Sequence, residues 1–164
     1  MKALKTLLVF VIAILASSLA LKAQEKDVAV IKEMIESKNF IFKAQSAAPQ
    51  TGGTRFLTST YDLTVNPDKV ISYLPYFGRA YSAPINPSDG GIKFTSTDFR
   101  YETKKIKKGW DITIIPKDAA DVQKLYLTVF DNGSASLRVN NTNRQGISFN
   151  GYVEKNKATE KKAF

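Results

Sequence analysis

The sequence predicts an α+β fold: an N-terminal amphipathic helix packed on a largely antiparallel, twisted sheet of about seven strands. Three observations predict it. Apolar residues recur once at helical spacing, early in the chain. Beyond Asn39 they alternate with polar residues, the period of a half-buried strand. No strand–helix–strand alternation and no fixed-period repeat occurs, so a parallel sheet is not expected. A small β-barrel is the alternative architecture.

Residues 1–23 read as an address. Lys2 and Lys5 form a positive start, Leu7 to Ala16 is an unbroken apolar run, and Ser17, Ser18 and Ala20 introduce small residues before Ala23. That is the three-part layout of a secretory signal peptide, with cleavage expected near Ala23. The run is short for a helix that must cross ~30 Å of hydrocarbon, so no transmembrane segment is expected after cleavage. A single α+β domain should then occupy 24–153, with a flexible charged tail at 154–164.

Val28, Ile31 and Ile35 form the apolar stripe of the helix, widened by Val30 and Met34, while Lys32, Glu33 and Glu36 face away. Ser37-Lys38-Asn39 stops it. Strands are expected at Phe40–Ala44, Leu57–Val65 and Ile92–Phe94. Phe99 and Tyr101 fall on the opposite parity from Ile92 and Phe94, which requires a bulge or turn between Ser96 and Asp98. Phe99–Lys105 and Trp110–Ile115 make a hairpin with Ile106-Lys107-Lys108-Gly109 at its tip. Leu125–Val129 and Ala135–Val139 make another through Asp131-Asn132-Gly133, a strong turn signal. Ile147–Val153 is the last strand.

The chain has 164 residues, no cysteine and no histidine. Thiol nucleophiles, disulfides, histidine-based triads and the usual zinc sites are therefore excluded, and no metal or cofactor is expected. Secretion without cysteine suits a bacterial periplasm. The net charge is +9, of which the leader supplies three lysines. Lys104, Lys105, Lys107 and Lys108 cluster at a hairpin tip, but no docking motif accompanies them and no nucleic-acid partner is expected. An anionic envelope surface suits the charge better.

The least regular segment is Tyr73 to Tyr81, with four aromatics, one arginine and a Pro75/Gly78 pair. It follows neither periodicity, as a shaped loop would not. Tyr76, Phe77, Arg79 and Tyr81, with Arg144 at the entry to the last strand, are the candidate ligand- or partner-binding residues, because Tyr and Arg favour recognition surfaces. The packing alternative has Leu74, Tyr76 and Phe77 plugging the sheet's open end while Arg79 satisfies buried carbonyls. No catalytic residue is assigned. Among Asp98, Glu102, Asp111, Asp118 and Asp121, the pair Asp98/Glu102 would share a strand face at roughly 13 Å. That exceeds the separation of about 5–9.5 Å used by paired glycosidase acids.

Leu74-Pro75-Tyr76-Phe77-Gly78-Arg79-Ala80-Tyr81, Lys108-Gly109-Trp110, Gly133-Ser134-Ala135 and Arg144-Gln145-Gly146-Ile147-Ser148-Phe149-Asn150-Gly151 together resemble the domain of unknown function 4251, a family of secreted Bacteroidota proteins. The resemblance runs from about Val28 to Val153. It implies a periplasmic or secreted bacterial protein and no activity, substrate or assigned site. The expected function is a non-enzymatic binding or interaction module whose partner is an envelope protein or a small ligand. The alternatives are an envelope- or glycan-directed hydrolase with paired carboxylates and a structural component of an envelope complex. The oligomeric state is not legible.

Overall fold

The computed structural model describes residues 27–81 and 90–157. The leader expected at 1–23 and most of the tail expected at 154–164 lie outside those residues. Helix α1 (27–36) buries Ile31, Met34 and Ile35 of the expected stripe, leaves Val28 and Val30 half-buried, and is followed by nine strands among the described residues. These are β1 (Phe40–Pro49), β2 (Arg55–Val65), β3 (Val70–Leu74), β4 (Ile92–Ser96), β5 (Phe99–Ile106), β6 (Gly109–Pro116), β7 (Val122–Phe130), β8 (Ser134–Asn141) and β9 (Ile147–Lys155). All belong to one sheet in the order β4-β3-β2-β1-β9-β8-β7-β6-β5, and every neighbouring pair is antiparallel.

This corrects the α+β expectation. Over the described residues the protein is a nearly closed, barrel-like antiparallel sheet of nine strands with one short helix, closer to the small-barrel alternative. One reason is topological. The edge strands β4 and β5 are consecutive in the chain, joined only by Thr97 and Asp98. Laid flat, nine strands would separate the edges by about 38 Å at ~4.8 Å per spacing. Three Cα–Cα steps reach at most about 11 Å. The sheet must therefore curl until its edges approach. The junction is fastened by Asp118, whose Oδ2 accepts the amides of Thr97 at 2.8 Å and Asp98 at 3.2 Å, while the Lys117 amide donates to the Asp98 carbonyl at 2.8 Å.

The second reason is burial. A sheet curled on itself buries its inner face against itself, so a helical layer is not needed to cover it. Phe40, Phe42, Leu63, Val70, Leu74, Ile112, Ile114, Leu125, Leu137 and Phe149 meet in one core, to which α1 adds the buried Ile31, Met34 and Ile35, with Val28 and Val30 packed at its margin. The alternation read in β6 to β9 holds: Trp110, Ile112 and Ile114 face inward, as do Leu125, Leu127, Val129, Leu137 and Val139. Edge strand β5 supplies only the half-buried Phe99 and Tyr101, and the Tyr101 hydroxyl donates to the Ile35 carbonyl at 3.0 Å, tying α1 to the sheet.

Most strands run a few residues past their expected bounds, β1 furthest, to Pro49 rather than Ala44, and one strand was not expected at all. β3 was hidden because Tyr73 and Leu74 belong to the irregular aromatic segment, whereas Val70, Ser72 and Leu74 alternate inward with Ile71 and Tyr73 outward. β9 continues past Val153 to Lys155, after which the buried Asn156 donates to Asn66 Oδ1 at 2.8 Å. Among the described residues no helix is long and apolar enough to cross a membrane.

Candidate functional site

After β3 the chain crosses to the β8–β9 connection and pairs with it. The Tyr81 amide donates to the Asn143 carbonyl at 2.9 Å, the Gln145 amide donates to the Arg79 carbonyl at 3.0 Å, and Ala80 bridges Arg144 in antiparallel fashion. Segment 75–81 is thus held by backbone bonds to 143–145. Fixed main-chain pairing removes much of the entropy a free loop would lose on binding.

Tyr76 is the pin of this arrangement. Its half-buried phenol lies 2.8 Å from the Arg79 carbonyl and 3.0 Å from that of Gln145, so one hydroxyl proton serves two acceptors. Burial raises its pKa, against the lowering influence of the Arg144 charge and the bond to Gln145, so it remains a donor at neutral pH. Gly78 makes the close approach feasible: a Cβ there would lie 2.5 Å from the Tyr76 hydroxyl oxygen. The Arg144 guanidinium stands 5.3 Å from the Tyr76 ring centroid, donates through Nη1 to the Gly91 carbonyl at 3.0 Å, and places Nη2 3.6 Å from Asp121.

The five predicted residues divide by role. Tyr76 and Arg144 touch each other and are largely engaged in holding the loop. Arg79 and Tyr81 are exposed, Tyr81 at 72%, although their backbones are fixed. Phe77 is also exposed and turns towards Arg55, whose guanidinium lies 5.0 Å from its ring centroid. The packing alternative holds for Leu74, which is buried, and in part for Tyr76. It assigned the wrong arginine, because Arg144 rather than Arg79 reaches a main-chain carbonyl.

Beside this rim lies a cleft of about 350 Å³ between Gly91–Thr95 and residues 118–122, with Arg144 at its wall. The volume falls in the ordinary range for a small-molecule site, about 300–1,000 Å³. Arg55, whose guanidinium faces Phe77, was not foreseen as part of the rim, and the 87% exposure of Phe56, next to it in the chain, was not foreseen either. Its signal was present: in the alternation of β2 it shares parity with Thr58 and Thr60 rather than with Leu57 and Leu63.

The acids considered for hydrolysis are all exposed and occupied in other ways. Asp98 is not on a strand face but in the β4–β5 turn, bonded to Lys117 at 2.8 Å. Glu102 pairs with Arg100, and Asp111 accepts the Thr128 hydroxyl at 2.8 Å. Asp118 is held down to about 2 by the Ser96 hydroxyl and the amides of Thr97 and Asp98. Asp121 faces Arg144. None sits in the desolvating environment that raises the pKa of a general acid.

A search of curated proteins gives no match. Among solved structures the fold resembles that of a DUF4251 family protein from Bacteroides eggerthii, with a TM-score of 0.53 and 16% identity over 81% of this chain and 88% of that one. The sequence profile of DUF4251, a domain of unknown function, matches residues 22–153. Nearly all of the curled sheet, including the rim and the cleft, falls within that match, and the chain belongs to the DUF4251 family.

Proposed function

We propose that this protein is a binding module acting in the bacterial periplasm or outside the cell, released from its leader near Ala23. Its ligand- or partner-binding site is the rim formed by Phe77, Arg79 and Tyr81, set on Tyr76 and Arg144. The observation that carries this reading is exposure on a fixed backbone. Two aromatics and a cation stand in solvent, while the main chain beneath them is bonded to 143–145. A side chain that served packing alone would have turned inward, as Leu74 does. Arg79 has no ion-pair partner among the described residues, and Arg55 stands over Phe77. An acidic group carried by an envelope protein or a small ligand is the complement of that rim.

The test is photocrosslinking in intact cells, with a photoreactive residue at Phe77 or Tyr81 and a control at the exposed Tyr152 of β9. The rim positions should capture one discrete partner that the control does not, and Arg79→Glu should abolish the capture. Identical products from all three positions would overturn the assignment.

A further inference from the structure

A second surface, separate from the rim, lies on the outer face of β5 to β8. Strand register places Glu102, Thr113, Tyr126 and Arg138 side by side in one row across the four strands. Lys104, Asp111, Thr128 and Ser136 form the next row. Tyr126, 40% exposed, divides two grooves. One, of about 640 Å³, lies towards β5 and β6 and includes Glu102, Lys104 and Asp111. The other, of about 440 Å³, lies towards β8 and includes Ser136, Arg138 and Asn140. Tyr126 and Thr128 line both.

We infer that this face binds a neutral oligosaccharide, with one sugar ring stacked on Tyr126 and its neighbours lying in the two grooves. The charges decide against a polyanion: the groove-lining cations Lys104 and Arg138 are equalled in number by the groove-lining acids Glu102 and Asp111, although the whole chain carries +9. Apolar area decides against a lipid or an amphipathic helix, because beside the Tyr126 ring the groove-lining Ile112 and Leu127 are buried. An extended peptide would add to a free edge, whereas these grooves lie over strands paired on both sides at β6 and β7.

A pyranose offers what the remaining surface needs: a C–H face for an aromatic ring and a rim of hydroxyls that both donate and accept. Planar carboxylate, guanidinium and carboxamide groups bind such hydroxyls in pairs. Asp111 is already oriented by the Thr128 hydroxyl at 2.8 Å, and Arg138 has no ion-pair partner among the described residues. Four strands span about 14 Å, room for a chain of two or three rings, and side chains on a paired sheet are positioned more firmly than on loops.

The experiment titrates the isotopically labelled protein with cellohexaose, chitohexaose and mannohexaose at millimolar concentration and follows amide shifts. At least one hexaose should move the amides of Thr113, Tyr126 and Ser136 and leave those of Phe77 to Tyr81 in place. Tyr126→Ala should weaken binding by about tenfold or more, while Tyr126→Phe, which keeps the ring, should remain near wild type. Ser136→Arg removes no contact but fills the smaller groove, so it should also weaken binding by about tenfold in a folded protein. The inference is overturned if none of the hexaoses shifts these amides, if a sulfated glycan alone does so, or if Tyr126→Ala binds like wild type.

Discussion

Replacing Tyr76 by Phe removes one hydroxyl and leaves the ring, and the structure says where the effect must appear. The lost proton bridges the carbonyls of Arg79 and Gln145 at 2.8 and 3.0 Å. A hydrogen bond of this kind contributes about 1 kcal/mol net. That energy fastens the crossing segment rather than the sheet, so it should emerge in local opening. Two amides report on the crossing directly, Gln145 bonded to Arg79 and Tyr81 bonded to Asn143. A loss of about 1 kcal/mol should speed their hydrogen exchange roughly fivefold. The β6–β7 and β7–β8 ladders should exchange as in wild type. Gly78→Ala supplies a coupled check, since its Cβ would lie 2.5 Å from the Tyr76 oxygen and 2.8 Å from the ring carbon that bears it. It should therefore be less harmful in the Tyr76→Phe background, where the nearer atom is gone. If exchange at Gln145 and Tyr81 is unchanged in Tyr76→Phe, or accelerates everywhere alike, the phenol is not the pin described here.

Asp118 fastens the meeting of the two sheet edges as an anion, with its pKa lowered from 3.8 to about 2. A depressed carboxylate stabilises the fold above its unfolded pKa and loses that contribution as pH falls through the folded value. The melting-temperature gap between wild type and Asp118→Ala should thus be constant from pH 7 to 5 and narrow from about pH 4 towards 2; a gap that persists unchanged at the acid end would contradict this. Phe149→Ala empties a fully buried position opposite Ala47 and Leu137 and should cost about 3–5 kcal/mol in denaturant unfolding. Gly151→Ala drives a Cβ into the Lys43 carbonyl oxygen, beside the register shift between Ala44 and Ser46. It should cost about 1–3 kcal/mol and perturb the amides of Lys43 and Ala44, and a neutral effect would refute the close approach.

What the sequence made legible was local. The helical stripe of Val28, Ile31 and Ile35 with Val30 and Met34, the parity of Trp110, Ile112 and Ile114, and the Asn132-Gly133 turn each rest on a few neighbouring residues, and each is found, with Val28 and Val30 half-buried at the margin of the stripe. β3 escaped because its five residues, Val70 to Leu74, end in the aromatics of the crossing segment, so one face of the strand looked like a loop. In the site, the types Tyr and Arg drew attention to Tyr76 and Arg144, but their division of labour was not legible. The Tyr76 hydroxyl reaches a carbonyl 69 positions away, and Arg144 reaches Gly91, which no periodicity announces.

The parity change between Phe94 and Phe99 held more information than a bulge. A bulge keeps both halves on one strand, pairing with the same neighbours. Here the halves pair with β3 on one side and β6 on the other, and Thr97-Asp98 carries the chain from one sheet edge to the other. Nothing within two residues distinguishes those cases, because a tight turn and an edge-to-edge crossing are satisfied by the same polar pair. The distinguishing groups are remote: Asp118 and Lys117, which close the turn from the end of β6 onward. The same closure accounts for the cleft. With β4 bonded only to β3, its other side faces residues 118–122 across a gap rather than a ladder, and that gap is the space of about 350 Å³ where Arg144 stands. A substitution that brought β4 into hydrogen-bonding distance of 118–122 would complete the barrel and remove the cleft together, so incomplete closure is a condition of having a cleft there.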